Sequence, residues 1–324
     1  MNLIVILPLL ALSNTNAHSL PASGRQVIEY LTSELRSLAE YIDKVNVSSS
    51  RQHEEPAERR DSPDDRCGIS VFSEATRYGS LNRIASEGEF PWQVGISLNA
   101  DLEDMDCAGT IISEQYILTT ANCIQDMSDL SDVRITAGRT KYNEPKLMRR
   151  AANIITHEDF DSATNNNDIG LIKLSQPFDL NRGVVNSACL PPPDITPDQY
   201  VKGELLVTGY AESGDDMEDS RLVASSVPFI DDRTCRSMYR SESLGRVICA
   251  GSSRGSSSSS FSSLEGSSSC GMGESGAPLI GRDVNGRAVV LGISSWGYGC
   301  SSSGLPTVYT DVRQYINWIV ERAI

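Results

Sequence analysis

Histidine is scarce in this sequence: the 324 residues contain three, His18, His53 and His157. Imidazole is the side chain that most readily takes and returns a proton at neutral pH, so few positions can supply a histidine base. His18 borders an apolar leader, His53 lies in a charged stretch, and His157 lies in the segment Thr-His-Glu-Asp-Phe. We predict that all three are exposed and take no part in catalysis.

Positive charge is also in short supply. The chain has 28 Lys and Arg against 43 Asp and Glu, which gives a net charge of −15. This charge argues against nucleic acid and against anionic membranes as partners. The most acidic run, residues 212–219, is interpreted as a solvated loop, with recruitment of a basic partner as the alternative.

Long hydrophobic runs are missing except at the start of the chain. The apolar run over residues 3–12 is too short to cross a bilayer. Polar residues and the small-residue sequence Thr-Asn-Ala follow it, which is typical of a secretory signal cleaved near Ala17. No basic residue precedes the run, so this prediction depends on the run and its context. We expect a secreted, extracellular protein without a membrane anchor.

Six apolar residues near the N-terminus recur at alternating intervals of three and four: Ile28, Leu31, Leu35, Leu38, Ile42 and Val45. This spacing predicts an amphipathic helix over residues 28–45. One interpretation is that this helix self-associates or docks on a partner. The other is that it packs on the protein's own surface, since about three heptads are marginal for an independent coiled coil. Asn46 begins an Asn-Val-Ser sequon, a predicted glycosylation site, and residues 48–65 resemble a charged, flexible linker.

Four segments further along the chain carry a family resemblance. Residues 107–123 begin Cys-Ala-Gly-Thr and end Leu-Thr-Thr-Ala-Asn-Cys, and residues 167–174 read Asn-Asp-Ile-Gly-Leu-Ile-Lys-Leu. Residues 273–279 read Gly-Glu-Ser-Gly-Ala-Pro-Leu, and residues 295–297 read Ser-Trp-Gly. Together they resemble the trypsin/chymotrypsin-like serine proteases, from about Ile84 to the C-terminus. The resemblance implies an all-β, chymotrypsin-like double six-stranded antiparallel β-barrel with a C-terminal helix, preceded here by the short amphipathic helix.

The resemblance assigns three triad positions. Asp168 matches the orienting aspartate and Ser275 the nucleophile, but Asn122 stands where the family carries its histidine. Gly273 and Ser275 match the oxyanion-hole position. A serine hydroxyl is a weak nucleophile until a base takes its proton, and a carboxamide has no basic lone pair at neutral pH. Loss of one triad member typically lowers the rate about 10⁴- to 10⁶-fold.

The sequence also departs from the family at residues linked to zymogen activation. Glu274 replaces the family's aspartate, which pairs with a new N-terminal ammonium, and Ala277 replaces a glycine that permits unusual backbone angles. The Arg83–Ile84 bond is a possible cleavage site for a trypsin-like enzyme. The family register, however, places the new N-terminus earlier in the chain, near Gly79. We therefore do not expect conventional zymogen activation.

The predicted specificity pocket has no acidic side chain. The residues that match its walls are Ser268, Ser269, Ser295, Trp296, Gly297 and Thr307. The position that is acidic in a trypsin is serine here, at Ser268 or Ser269, so we expect no preference for Lys or Arg. A serine-rich stretch of 20 residues lies between Cys249 and Cys270, longer than is usual in the family.

Eight cysteines in a secreted chain predict a disulfide framework, but eight allow 105 pairings and spacing alone does not choose among them. The resemblance implies four pairs: Cys67–Cys189, Cys107–Cys123, Cys235–Cys249 and Cys270–Cys300. The first pair would tether the N-terminal region even after cleavage at Arg83. All cysteines are then used, so we predict no metal site and no cofactor.

We divide the chain into a signal peptide (1–17), an extension with the heptad helix and linker (18–66), a disulfide-tethered segment (67–83) and a protease-like domain (84–324). The function predicted is that of a secreted, inactive serine protease homologue. It would bind an extracellular protease, substrate or inhibitor as a cofactor, adaptor, decoy or inhibitor in a proteolytic cascade. Two alternatives stay open: a weak endopeptidase that uses Ser275 and Asp168, and an oligomeric scaffold organised by residues 28–45.

Overall fold

The computed structural model describes residues 66–70, 83–99, 105–127, 129–141, 144–192, 199, 204–213, 216–240, 244–251, 275–297 and 305–323. The predicted signal peptide, heptad helix, sequon at Asn46 and linker lie outside these residues. So do the following site and disulfide positions: Ser268, Ser269, Cys270, Gly273, Glu274 and Cys300. In the described part of the chain, no helix is long and apolar enough to cross a membrane.

The N-terminal barrel follows a two-residue strand, β1 (Arg83–Ile84). Six antiparallel strands form the barrel: β2 (Gln93–Ser97), β3 (Cys107–Ile111), β4 (Tyr116–Thr119), β5 (Arg134–Ala137), β6 (Leu147–Thr156) and β7 (Gly170–Leu174). They are ordered β2-β3-β4-β7-β6-β5, and β5 pairs back with β2 to close the barrel. These segments are rich in β-branched residues, which fit a pleated, buried surface.

The C-terminal barrel contains the remaining strands: β8 (Glu204–Ser213), β9 (Asp216–Ile230), β10 (Val247–Ala250), β11 (Pro278–Arg282), β12 (Ala288–Gly297) and β13 (Thr307–Asp311). Their order is β9-β10-β13-β12-β11-β8, and β8 pairs with β9 to complete the circle. Strand β1 adds to the free side of β9. Two six-stranded antiparallel barrels confirm the predicted fold class.

The acidic run over residues 212–219 was expected to form a loop, and this is wrong. Its residues 212–213 belong to β8 and its residues 216–219 to β9, and the pairing of the two strands continues out to Ser213 and Asp216. The described acidic residues of this run therefore lie in the strands of the β8–β9 hairpin.

Three short helices complete the described fold: α1 (Ala121–Ile124), α2 (Asp232–Tyr239) and α3 (Ile316–Ala323). Two 3₁₀ turns accompany them, Leu180–Arg182 and Val312–Tyr315. The latter turn runs into α3, which confirms the helix predicted at the C-terminus. Trp318 and Ile319 on α3 are buried, so this helix is held by packing against the barrels.

The barrel interiors are apolar and closely packed. The fully buried side chains include Trp92, Ile96, Ile117, Leu171 and Phe178. Truncating such a side chain to alanine typically costs about 2–5 kcal/mol, because a cavity is left behind. The cores therefore fix the barrels rigidly, and with them the chain segments that carry the triad positions.

Contacts between the barrels bring the triad segments together. Asn122 lies on α1, directly after β4, whereas Asp168 precedes β7 and Ser275 precedes β11. The hydroxyl of Thr310 donates to the carbonyl oxygen of Asp168 at 2.7 Å. The backbone N–H of Ala108 donates to the carbonyl oxygen of Ser275 at 2.9 Å. Each bond ties one barrel to the segment presented by the other.

Three disulfides lie within the described residues: Cys67–Cys189, Cys107–Cys123 and Cys235–Cys249. The second joins β3 to α1 and so braces the helix that carries Asn122. The first attaches the segment before the barrels to the body of the protein across 122 residues of chain.

Candidate active site

The side chain of Asn122 forms a hydrogen bond within its own helical turn. Asn122 is the second residue of α1 and is exposed. Its side-chain oxygen Oδ1 accepts a hydrogen bond from Nε2 of Gln125, one helical turn later, at 3.2 Å. The carboxamide therefore interacts with its own helix at the surface.

Asp168 is fully buried, and its carboxylate is bound from several sides. The backbone N–H of Asn122 donates to Oδ1 at 2.7 Å, and the hydroxyl of Ser295 donates to Oδ2 at 2.5 Å. Burial raises the pKa of Asp168, while hydrogen bonds from Ser295 and from the backbone N–H groups of Asn122 and Ala121 lower it. The carboxylate thus serves as a cap for the first turn of α1, whose N–H groups have no partner within the helix.

Ser275 has a hydroxyl group as its partner. Its Oγ lies 2.7 Å from Oγ1 of Thr120, and either atom can be the donor. Thr120 is fully buried and is the residue that immediately precedes α1. A hydroxyl is no general base at neutral pH, so this contact does not activate Ser275.

The backbone at Ser275 is held in a tight turn. Gly276 has φ +86, and its N–H donates to the carbonyl oxygen of Ser294 at 2.8 Å. A Cβ at this glycine would lie 2.1 Å from the carbonyl oxygen of Ala108, which is far inside contact distance. Glycine is therefore required here both by the backbone angle and by the close approach of β3.

Ala277, which replaces a glycine of the family, lies in ordinary backbone conformation. The residue is buried, and it is not among the described non-glycine residues with positive φ, which are Asn165, Asn167 and Arg240. Its carbonyl oxygen accepts from the N–H of Ser294 at 2.8 Å. The alanine is accommodated because its backbone does not need the left-handed region.

The described walls of the predicted specificity pocket come from β12 and β13. Trp296 pairs with Val308, and Gly297 pairs with Thr307. The Trp296 ring meets the Tyr239 ring edge to face at 5.1 Å between centroids. This ring contact joins the strand of Ser295 to α2. None of the described wall residues carries a charged side chain.

The possible cleavage bond, Arg83–Ile84, lies within β1. Both residues pair with β9, and the Arg83 guanidinium forms an ion pair with the buried carboxylate of Glu89. Glu89 also accepts from the backbone N–H of Ser86 at 2.9 Å. A trypsin-like enzyme needs the arginine side chain in its own pocket, so cleavage at this bond requires the ion pair to break first.

His157 was expected to be exposed, and this is wrong. It is half-buried, with its ring stacked on Trp318 at 5.2 Å and edge to face with Tyr315 at 5.4 Å between centroids. Its Nδ1 accepts from the backbone N–H of Asp159 at 3.1 Å. Burial lowers the pKa of His157, so the neutral ring is favoured. Among the described residues, it joins the loop after β6 to the C-terminal helix.

Thr120 and Glu89 were missed by sequence reasoning. Thr120 belongs to the segment that carries Asn122, but nothing in that segment indicates a contact with a serine 155 residues later. Glu89 directly precedes Phe90, Pro91 and Trp92 in the sequence. A single charged residue next to such an apolar segment was the signal that could have indicated a buried carboxylate. No cluster of metal-ligating side chains occurs in the part of the chain that the structure describes.

Comparison with known proteins agrees with this geometry. Residues 82–319 match the protein family described as Trypsin. The chain is 33% identical over 245 residues to Trypsin Blo t 3 of Blomia tropicalis, across 74% of this chain and 84% of that protein. It is 32% identical over 247 residues to Trypsin-1 of Astacus astacus, across 73% and 96%. It is 30% identical over 241 residues to Transmembrane protease serine 11C of Mus musculus, across 74% and 52%. With two closed barrels and a family match over most of its length, the chain belongs to the trypsin family.

Proposed function

We propose that this protein is a secreted, non-catalytic member of the trypsin family that acts by binding. Its role is that of a cofactor, adaptor, decoy or inhibitor in an extracellular proteolytic cascade. One observation carries the proposal: asparagine stands at position 122, so this triad position supplies no imidazole to Ser275.

The missing base has a large chemical cost. The nucleophile's proton must be taken in the transition state and later given to the leaving group, and imidazole does both near neutral pH. The Asn122 carboxamide does neither, and its side chain is bound to Gln125 at the surface. Without the base, the rate falls about 10⁴- to 10⁶-fold, and the remaining rate enhancement comes from binding and oxyanion stabilisation.

The binding role is supported by what the chain keeps. Both barrels are closed, and the described disulfides join β3 to α1 and α2 to β10. Disulfides and the apolar leader fit an extracellular location. A chain that keeps both barrels of a protease without its base is suited to occupy a partner or a substrate without cleaving it.

A weak endopeptidase is the second candidate. The buried carboxylate of Asp168, with Ser295 and the backbone at Asn122 bound to it, is the arrangement that would orient an imidazole. Under this alternative, another group takes the proton of Ser275.

Labelling with a fluorophosphonate separates the two candidates, because the probe reacts only with an activated serine. The purified full-length protein is treated with the probe before and after incubation with trypsin, beside an active trypsin and the Ser275→Ala variant. No labelling above Ser275→Ala in either state is the expected result. Labelling that Ser275→Ala abolishes would establish the endopeptidase.

The binding role is then measured in extracellular fluid from the source organism. Wild-type protein and Ser275→Ala are each added, and the rate of proteolysis of a peptide substrate is followed. We expect equal changes from the two proteins, since binding does not use the hydroxyl. An effect confined to the wild type, or no effect from either protein, contradicts the proposal.

A further inference from the structure

We propose that Thr120 is a positioning residue that forms a second block on the Ser275 hydroxyl, independent of the loss of histidine at position 122. This inference rests on the proposed function, because it concerns why the site is inert. A histidine restored at position 122 alone would face a Ser275 hydroxyl that is already hydrogen-bonded to Thr120.

The contact is well defined by its surroundings. Thr120 is fully buried, and its Oγ1 lies 2.7 Å from Oγ of Ser275, within the ideal range for two hydroxyls. Threonine is branched at Cβ, so its side chain has few rotamers to choose from. Ser275 is fixed on the other side by the Ala108 N–H and by the turn at Gly276. The backbone segments that carry the two hydroxyls are therefore held in place on both sides.

The hydroxyl of Thr120 has been released from the role it would ordinarily fill. A threonine immediately before a helix commonly uses its hydroxyl to cap the helix N–H groups. Thr120 holds this position before α1, with φ −87 and ψ 149, yet it makes no such side-chain cap. Asp168 accepts from the N–H of Asn122 instead. The Thr120 hydroxyl is thereby left to Ser275.

Either direction of the bond weakens the nucleophile. If Ser275 donates, its proton points at an oxygen that is not basic at neutral pH. If Thr120 donates, it uses a lone pair on the oxygen that must attack. An intramolecular hydrogen bond between neutral groups typically favours the bonded over the free state by a factor of about five to ten. Removing the bond should therefore raise the reactivity of Ser275 by about the same factor.

The first experiment compares rates of fluorophosphonate labelling in full-length variants. Asn122→His is the reference, and Asn122→His with Thr120→Ala is the test. We expect the double variant to label about five to ten times faster. Asn122→His with Thr120→Ser is the matched control: it keeps a hydroxyl at position 120 and should label like the reference. Equal rates for the alanine and serine variants would overturn the inference.

The two proposals fail in different ways. Labelling of the wild-type protein contradicts the proposed function, whatever the histidine variants do. Equal labelling of Asn122→His with and without Thr120→Ala contradicts only the role of Thr120.

A double-mutant cycle in thermal unfolding keeps the inference testable even if no histidine variant reacts. Thr120→Ala and Ser275→Ala each remove the shared bond, and each is expected to lower Tm by about 2–4 °C. The combined variant should then lose clearly less than the sum of the two, because the bond can be lost only once. Additive losses would show that the hydroxyls are not coupled, and would overturn the inference by themselves.

Discussion

The carboxylate of Asp168 binds Asn122 through the main chain: the Asn122 N–H donates to Oδ1 at 2.7 Å. This contact does not depend on the side chain at position 122. It therefore survives the absence of histidine, and it gives Asp168 a structural role at the start of α1. Retention of an aspartate at a triad position is thus no sign that the triad works.

The structural role of Asp168 can be tested by Asp168→Asn. The amide keeps the size of the carboxylate but presents N–H donors to a site whose surrounding groups also donate. Leaving buried polar groups unpaired typically costs about 1–3 kcal/mol, so we expect a loss of that size in the free energy of unfolding in urea. Asp126→Asn, at an exposed position just after α1, should change stability by less than about 0.5 kcal/mol. Equal effects of the two substitutions would mean that Asp168 does not cap α1.

The turn after the nucleophile gives a second test, with a matched pair of glycines. Gly276 and Gly286 both have positive φ, at +86 and +79, but only Gly276 is approached closely by other backbone atoms. Gly286→Ala should cost about 1–2 kcal/mol for the left-handed angle alone. Gly276→Ala adds the overlap with the Ala108 carbonyl oxygen and should be more costly, with a lower Tm or loss of secretion. Similar Tm values for both variants would contradict the close approach.

The fold was predictable from the sequence, but the details of the site were not. Short motifs such as those at residues 167–174 and 273–279 identify the barrels because the chemistry of the family ties them to fixed places in the fold. The identity of Asn122 was also plain from the sequence. The hydrogen bond between its side chain and Gln125 was not, because the spacing of the two residues permits this bond but does not require it.

Contacts between distant parts of the chain were the main source of error. His157 was predicted to be exposed because residues 156–160 resemble a surface turn of the family. Its partners are Tyr315 and Trp318, which lie on the C-terminal segment, more than 150 residues away. The Thr120–Ser275 contact was missed for the same reason. Local patterns predict elements, whereas the pairing of side chains between barrels depends on packing that no local pattern encodes.

The ion pair between Arg83 and Glu89 makes a third prediction, on cleavage at the Arg83–Ile84 bond. Glu89 is 2% exposed, so Glu89→Gln removes the charge on the buried side of the pair and should lower stability by about 1–3 kcal/mol. It should also speed trypsin cleavage at Arg83, because the guanidinium and β1 are released together. N-terminal sequencing of the products identifies the bond.

The control for this experiment is Asp232→Asn, which breaks an exposed ion pair with Arg236 on α2. Exposed pairs contribute about 0–1 kcal/mol, so cleavage at Arg83 should stay as slow as in the wild type. The Cys67–Cys189 bond should keep the cleaved segment attached on a non-reducing gel and release it on a reducing gel. Fast cleavage of the wild-type protein would show that the ion pair does not protect this bond.

The last prediction concerns pH and the stacked ring of His157. Burial lowers its pKa from 6.5, against the opposite influence of Glu158 and Asp159 and with support from Arg246 and Arg322. Protonation would also break the bond in which Nδ1 accepts from the N–H of Asp159. The pKa of Glu158 is lowered to about 2 by hydrogen bonds from its own backbone, Trp318 and Arg322, so this carboxylate stays charged from pH 5 to pH 8.

Because the folded state holds His157 with a lowered pKa, the unfolded chain takes up the proton first as the pH falls. The contribution of the neutral ring to stability is therefore fully present above about pH 6.5 and is lost as the pH falls through the folded pKa. His157→Phe keeps a flat ring on Trp318 and cannot titrate, so the difference in Tm between wild type and variant should shift against the wild type between pH 8 and pH 5. Subtracting the variant also removes other groups, such as Asp168, whose raised pKa acts in the opposite direction. A difference in Tm that does not change with pH would show that His157 stays neutral, or charged, in both states.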